Sequence, residues 1–210
     1  MPKNKLVKWG ALTACLFLIA CVISIPGLCK TPEAPETMRA AELLQHLGPG
    51  AEAVENPTNI ECGEPPYVSG EDAVEILKNA GLIADCTVEE ISRIKIPEPD
   101  SGSVWFLTVM TLSRNGTIRG RTEEEQFHVV NAAVTNEPVE FLSTPGLADC
   151  REGMRAAFIL KSVGEDEAWT IGGTEIAAKD LGDYFAVNRV GYDGESIQYG
   201  DYSIPIAALD

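Results

Sequence analysis

Hydrophobic and polar residues follow two different periods along this chain, and the period changes after residue 86. Gly70–Ala80 carries apolar residues at helical spacing, and Ser69 and Asp72 are placed for a capping box at its start. A shorter apolar stripe predicts a helix over Thr37–Leu47, which a Gly-Pro-Gly turn ends. Two helices are therefore predicted before the strands begin.

Beyond residue 86, β-branched and aromatic residues favour short strands separated by Gly, Pro and Asn. Asn115-Gly116, Gly172-Gly173 and Asp193-Gly194 are typical of tight hairpin turns. Because the connections are short, we expect antiparallel pairing. The predicted strands are Ile91–Ile96, Val104–Leu112, Phe127–Ala132, Val139–Leu142, Ala157–Val163, Ala168–Ile171, Thr174–Ala178, Tyr184–Tyr192, Ser196–Tyr199 and Tyr202–Ile206.

These elements predict an α+β fold, with one or two N-terminal helices packed on an antiparallel sheet and a β-rich C-terminal half. Residues 37–143 would form an α+β lobe and residues 144–210 a β-rich lobe. A body of about 180 residues can bury about 70% of its unfolded surface as one domain. The sequence leaves open whether the two lobes are one domain.

The N-terminal segment has the arrangement of an export signal. Lys3, Lys5 and Lys8 precede Gly10–Ile25, which contains no charged residue. We therefore assign residues 1–29 to an export signal or membrane anchor and residues 30–36 to a Pro- and Glu-rich tether.

Three outcomes of export remain open. Leu18-Ile19-Ala20-Cys21 resembles a lipobox, in which Cys21 would become the lipidated first residue. Without cleavage, the apolar run is long enough for a single-pass anchor. Cleavage near Gly27 or Cys29 would release the protein, which is the lesser option. Each outcome places the body outside the cytoplasm, and the first two tether it to the membrane.

Charge is unevenly spread along the chain, which has 16 basic and 32 acidic residues and a formal charge of −16. Residues 1–30 hold four lysines and no acid, so the rest holds 12 basic and 32 acidic groups, and 12 − 32 = −20. Such a body repels phosphate backbones, which excludes nucleic acid as a partner. The 45% hydrophobic content excludes a disordered acidic chain.

The sequence contains no recognisable catalytic or metal motif. His46 and His128 are the only histidines, and neither has a partner at metal-ligand spacing. Serine-hydrolase, metalloprotease, P-loop and dinucleotide motifs are all missing. We therefore predict no catalytic, cofactor or metal site. A carboxylate-dependent, glycan-active enzyme and an acidic divalent-cation-binding protein remain the alternatives.

Two further sets of residues carry predictions. In an oxidising compartment, Cys62 and Cys86 are candidates for a disulfide, with buried free thiols as the alternative and Cys29 and Cys150 left unassigned. Aromatic residues concentrate in the last third of the chain, as a β core or as a recognition surface. The aromatic residues concerned are Trp169, Tyr184, Tyr192, Tyr199 and Tyr202.

The stretch Ser69–Phe141 resembles a PepSY-like domain. The matching residues are Ala73, Ala80-Gly81-Leu82, Val104–Leu112 and Val130–Glu137. It departs from the pattern at Asn115–Arg121, a predicted hairpin insertion, and at Asn136, where Gly is usual. The resemblance implies an extracytoplasmic regulatory or inhibitory module with no catalytic residues to transfer.

Together these observations predict a non-enzymatic, membrane-tethered extracytoplasmic protein with a binding or regulatory role. Its partner would be another protein or an envelope component, and its binding surface would be sheet edges and the aromatic β region.

Overall fold

The computed structural model describes residues 40–47, 50–62, 69–144 and 146–209. The export segment, the tether and Cys21 lie outside the described residues. In the described part, no helix combines the length and the apolarity that a membrane crossing requires. The body, Thr37–Asp210, is one compact unit.

Helices are few and short in the described part. The capping box predicted for the longest of them is present: the Asp72 amide donates to Ser69 Oγ at 3.2 Å, and the Ser69 amide donates to the Asp72 carboxylate at 3.3 Å. The α-helices are α1 (Ala40–His46), α2 (Gly70–Asn79) and α3 (Ala178–Leu181), followed by a 3-10 turn at Ile206–Ala208.

Strands make up 52% of the described residues and helices 14%, so the predicted α+β fold is wrong and the protein is mostly β. The strands are β1 (Glu52–Ala53), β2 (Ile60–Cys62), β3 (Leu82–Pro97), β4 (Val104–Arg119), β5 (Gln126–Thr135), β6 (Phe141–Ser143), β7 (Arg155–Ser162), β8 (Ala168–Ile171), β9 (Thr174–Ala177), β10 (Tyr184–Tyr192), β11 (Ser196–Tyr199) and β12 (Tyr202–Pro205).

One reason for the error is that two predicted short strands belong to 16-residue strands. Ile91–Ile96 is the last part of β3. Asn115-Gly116 makes no hairpin turn, because β4 continues through it and Gly116 pairs with Asp85 across a local register shift. The chain turns instead at Gly120, whose φ is +87°.

Five strands close into a barrel. β3 pairs with β4, β4 with β5, β5 with β10, β10 with β7, and β7 again with β3. All these pairs are antiparallel except β5 and β10, which run parallel at Val129 opposite Tyr184. The prediction of an antiparallel sheet is therefore wrong at this pair, since residues 136–183 provide a long crossover between the two strands. The strand order is that of the OB-fold barrel.

The barrel interior is a cluster of side chains from all five strands. Successive residues of a strand point to opposite faces of the sheet. In β5, Val129 therefore belongs to the interior cluster and Val130 to a cluster on the outer face. Leu147 and Cys150, from the loop after β6, fill the interior further and are 0% and 2% exposed. Segments outside the five strands therefore complete the core.

Two outer layers cover the barrel. On one face, α1 and the β8–β9 hairpin pack over β3, β4 and β5, where Leu43 and Ile171 are fully buried. On another face, α2 and the β11–β12 hairpin pack over β3, β7 and β10, where Leu77 and Ile197 are fully buried. These layers leave part of the β3 edge uncovered.

Candidate binding groove

One edge of β3 has an interruption in its strand pairing. β1 pairs with β3 at Ile94 and Lys95, and the Val54 amide donates to the Arg93 carbonyl at 2.8 Å. β7 pairs with residues 82–87, and Val88 extends this pairing by hydrogen bonds to Met154 and Gly153. Between them, residues 89–92 have no strand neighbour on this edge in the described part of the chain.

A bulge explains the interruption. The pairing of β3 with β4 shifts register between Val88 and Glu90, so one extra residue lies in β3. An extra residue bends the strand, increases its local twist and disrupts the regular pairing. β7 and β1 therefore contact β3 on either side of the bulge and do not meet.

The interruption opens into a groove of about 590 Å³, which we call the β3 groove. Its floor is the middle of β3, and its walls are the segment after β1 and the turn that precedes β7. Among its lining residues are Val54, Asn56, Ile91, Ser92, Arg93 and Arg151.

Arg93 is one of two arginines that line this groove. Its guanidinium donates to the carbonyl oxygens of Cys150 at 2.7 Å and Ala148 at 3.3 Å. It also lies 6.0 Å from the centre of the Phe141 ring. Its Nε is buried and has no hydrogen-bond partner among the described residues.

Electrostatics at Arg93 favour an added anion. Burial lowers the pKa of the Arg93 guanidinium, and the only charge that opposes this shift is that of Cys150. Burial raises the pKa of the Cys150 thiol to about 11, so this thiol is neutral at physiological pH. Arg93 is therefore a partly buried cation whose guanidinium, in the described part of the chain, donates to two neutral backbone carbonyls.

Two other arginines of this acidic body have carboxylate partners. Arg155 binds both oxygens of Asp85, which is only 6% exposed, and this carboxylate raises the pKa of Arg155. Arg189 binds Asp149 at 2.7 Å. Arg155 and Arg189 line a second groove of about 520 Å³, and both are thus already paired with carboxylates.

A third groove, of about 530 Å³, lies beside Arg119. The Arg119 guanidinium donates to the carbonyl oxygens of Lys78, at 2.8 Å, and Leu209. Lys78 lies in the last turn of α2, where unpaired carbonyls attract a cation. Arg119 therefore ties α2 and the C-terminal turn to the end of β4.

The aromatic residues predicted as a β core or a recognition surface lie at separate places in the structure. Trp169 stacks on Phe185 at 5.1 Å in the outer cluster under α1. Tyr184 packs edge-to-face on Phe127 at the barrel interior. Tyr199 and Tyr202 pair across the β11–β12 hairpin in the cluster at α2, and Tyr192 is 37% exposed. They are dispersed because alternate strand residues point to opposite faces.

The predicted disulfide between Cys62 and Cys86 is not formed, since both thiols are free. Cys86 points into the barrel with Ala84 and Val88, while Cys62 is exposed on β2. Burial, and then the charge of Asp85, raises the pKa of the Cys86 thiol to about 12. The described part contains no cluster of three or more metal-ligating side chains.

The β3 groove was not among the predicted sites. Its sequence signal is slight: Glu89-Glu90 breaks the alternation of β3, which is where the bulge forms, and Arg93 lies between Ile91 and Ile94. No family model, curated protein or solved structure matches the chain. The PepSY-like resemblance and the export signal therefore stay predictions.

Proposed function

We propose that this chain is an extracytoplasmic binding or regulatory protein, tethered to the membrane by its N-terminal segment and without catalytic activity. Its partner is another protein or an envelope component. The observation that supports a binding role is the β3 groove, which combines a strand edge and a cation that have, respectively, no strand neighbour and no carboxylate partner among the described residues. The export signal in the sequence supports the location.

The chemistry of the groove favours recognition over reaction. An arginine keeps its proton at physiological pH, so Arg93 can hold an anion but is unsuited to transfer a proton. Free backbone amides and carbonyls exchange hydrogen bonds with an extended ligand. In the neighbouring groove, Arg155 already holds both oxygens of the buried Asp85 carboxylate. These groups bind ligands by charge and hydrogen bonding.

Site-specific photo-crosslinking in the native envelope tests this function. A photoreactive residue is introduced at Ser92, in the groove, and in a matched protein at Thr117, which is exposed on β4. A crosslinked partner that is found only from Ser92 supports the proposal. Crosslinks that are absent, or the same from both positions, contradict it.

The tether is tested separately. The intact mass of the natively exported protein distinguishes lipidation at Cys21, cleavage near Cys29 and a retained anchor. Release of the whole protein into the medium would contradict membrane tethering without affecting the binding role.

A further inference from the structure

We propose that the β3 groove receives an extended segment of a partner protein, which adds a short strand to β3 and places one carboxylate at Arg93. This inference rests on the proposed binding function and specifies how the partner is held.

The backbone of β3 directs hydrogen-bonding groups toward the groove. In an antiparallel strand, every second residue directs its amide and carbonyl to the same edge. The Arg93 carbonyl faces the edge that carries β1, because it accepts from the Val54 amide. Ile91, two residues earlier, directs its backbone groups to the same edge, where no described strand pairs with them. A partner strand would supply the missing hydrogen bonds.

The length of the gap limits what can enter. Residues 89–92 span roughly 13 Å at about 3.3 Å per residue, which fits an extended segment of about four residues. β1 borders the gap on one side, and the Gly153 and Met154 backbone that binds Val88 borders it on the other. A longer strand would have to displace one of these borders.

The charges in the groove predict the side chains of the segment. Arg93 and Arg151 line the groove, and among the described residues Arg93 donates to two backbone carbonyls and to no carboxylate. A carboxylate at this point gains a charge-assisted hydrogen bond. Glu55 and Glu152 stand in the two walls and repel further acids. The segment should therefore carry one central Asp or Glu between neutral or basic residues.

Panning a phage-displayed library of random heptapeptides against the full-length protein provides the probe. We expect enrichment of peptides with β-branched residues around one central acid. A fluorescent copy of the most enriched peptide is then titrated with protein variants. Failure to enrich any peptide, or enrichment without the central acid, would overturn the proposal.

Arg93→Gln and Arg189→Gln form a matched pair for the charge. Both arginines hold the loop that fills the barrel, since Arg93 donates to Ala148 and Cys150 and Arg189 donates to Gly146. Both changes thus loosen the same loop, but only Arg93 lines the β3 groove. Peptide affinity should fall at least about tenfold in Arg93→Gln and less than about twofold in Arg189→Gln. Equal losses would show that the effect is structural.

Ile91→Pro and Ile91→Val test the backbone contact. Proline removes the amide that faces the gap without removing a hydrogen bond to β4, whereas valine keeps the amide. We expect the proline variant alone to lose peptide binding, with its fold checked by circular dichroism. A peptide N-methylated at the central residue, titrated against the unaltered protein, gives the same test independently of folding. Undiminished binding of the N-methylated peptide would refute strand addition.

The outcomes separate this inference from the proposed function. If Ser92 crosslinks a native partner while the peptide experiments show no dependence on Arg93 or Ile91, the binding function stands and strand addition is wrong. If the protein instead forms a dimer that Ile91→Pro abolishes, the occupant is a second copy of this chain, and the proposal of a separate partner is overturned.

Discussion

Gly120 lies in the turn after β4, where a side chain has no room. Its φ is +87°, and a Cβ there would lie 2.4 Å from the Gly81 carbonyl oxygen and 3.2 Å from the Leu82 Cα. Gly102, in the turn before β4, has a φ of +73° with no atom within 4 Å of a Cβ. Alanine at either position must adopt a left-handed backbone conformation, which costs about 1–2 kcal/mol of stability. Only Gly120→Ala adds steric overlap.

The overlap should make the two variants distinguishable. The opposing atoms belong to the backbone where α2 passes into β3, so they cannot rotate away, and overpacking of this kind costs about 1–3 kcal/mol. We therefore expect a loss of about 2–5 kcal/mol for Gly120→Ala and about 1–2 kcal/mol for Gly102→Ala. Urea unfolding followed by circular dichroism measures both. If the two variants unfold at the same urea concentration, the steric reasoning is refuted.

Three further predictions concern other parts of the barrel. At pH 8 the native protein should be alkylated at Cys62 and protected at Cys86 and Cys150, because burial raises the pKa of the Cys86 thiol to about 12 and that of the Cys150 thiol to about 11. Peptide mass spectrometry measures the three rates of alkylation, and equal rates would contradict the prediction. Hydrogen bonds from Thr58 and Asn59 lower the pKa of Glu140, so the ionised carboxylate stabilises the fold. Glu140→Gln should therefore destabilise the protein above the ordinary carboxyl pKa, and this destabilisation should disappear as the pH falls through the lowered pKa of Glu140. Urea midpoints measure the effect with Glu137→Gln as the control, and a destabilisation that persists in acid would count against the prediction. Phe141→Ala removes a fully buried ring packed 5.2 Å from Phe106 and should cost about 3–5 kcal/mol in thermal unfolding, whereas Val134→Ala, at a 49% exposed position, should cost under about 0.5 kcal/mol.

Local features of the fold could be predicted from the sequence. The start of α2 was correct because Ser69 and Asp72 satisfy the first amides of the helix within four residues of chain. The β8–β9 hairpin was correct because Gly172 and Gly173 both adopt positive φ, at 57° and 81°, as its two-residue turn requires. In both cases the residues that determine the structure are neighbours in sequence.

Non-local pairing explains the failures. Asn115-Gly116 has the composition of a turn, but the hydrogen bonds of β3 hold it extended as part of β4. The parallel pair of β5 and β10 depends on a crossover that adjacent strands do not reveal. The β3 groove combines residues 53–56, 91–94 and 151–152, so its shape depends on three segments that meet only in the fold. Arg93 could be recognised in advance as a charge within an apolar strand, but its hydrogen bonds to the carbonyls of Ala148 and Cys150 could not.

One face of the barrel is covered by other parts of the chain. OB-fold barrels bind oligonucleotides and oligosaccharides on the face of the second and third strands, which here are β4 and β5. In this protein Leu107 and Val130 of that face are 0% exposed, beneath α1 and the β8–β9 hairpin. The charge of −20 over residues 31–210 opposes a nucleic acid independently of this covering. A shared topology does not transfer function, and here the chain itself occupies the face concerned. The proposed binding role accordingly uses the edge of β3, where β1 and β7 lie on either side of the bulge and no described strand pairs with residues 89–92.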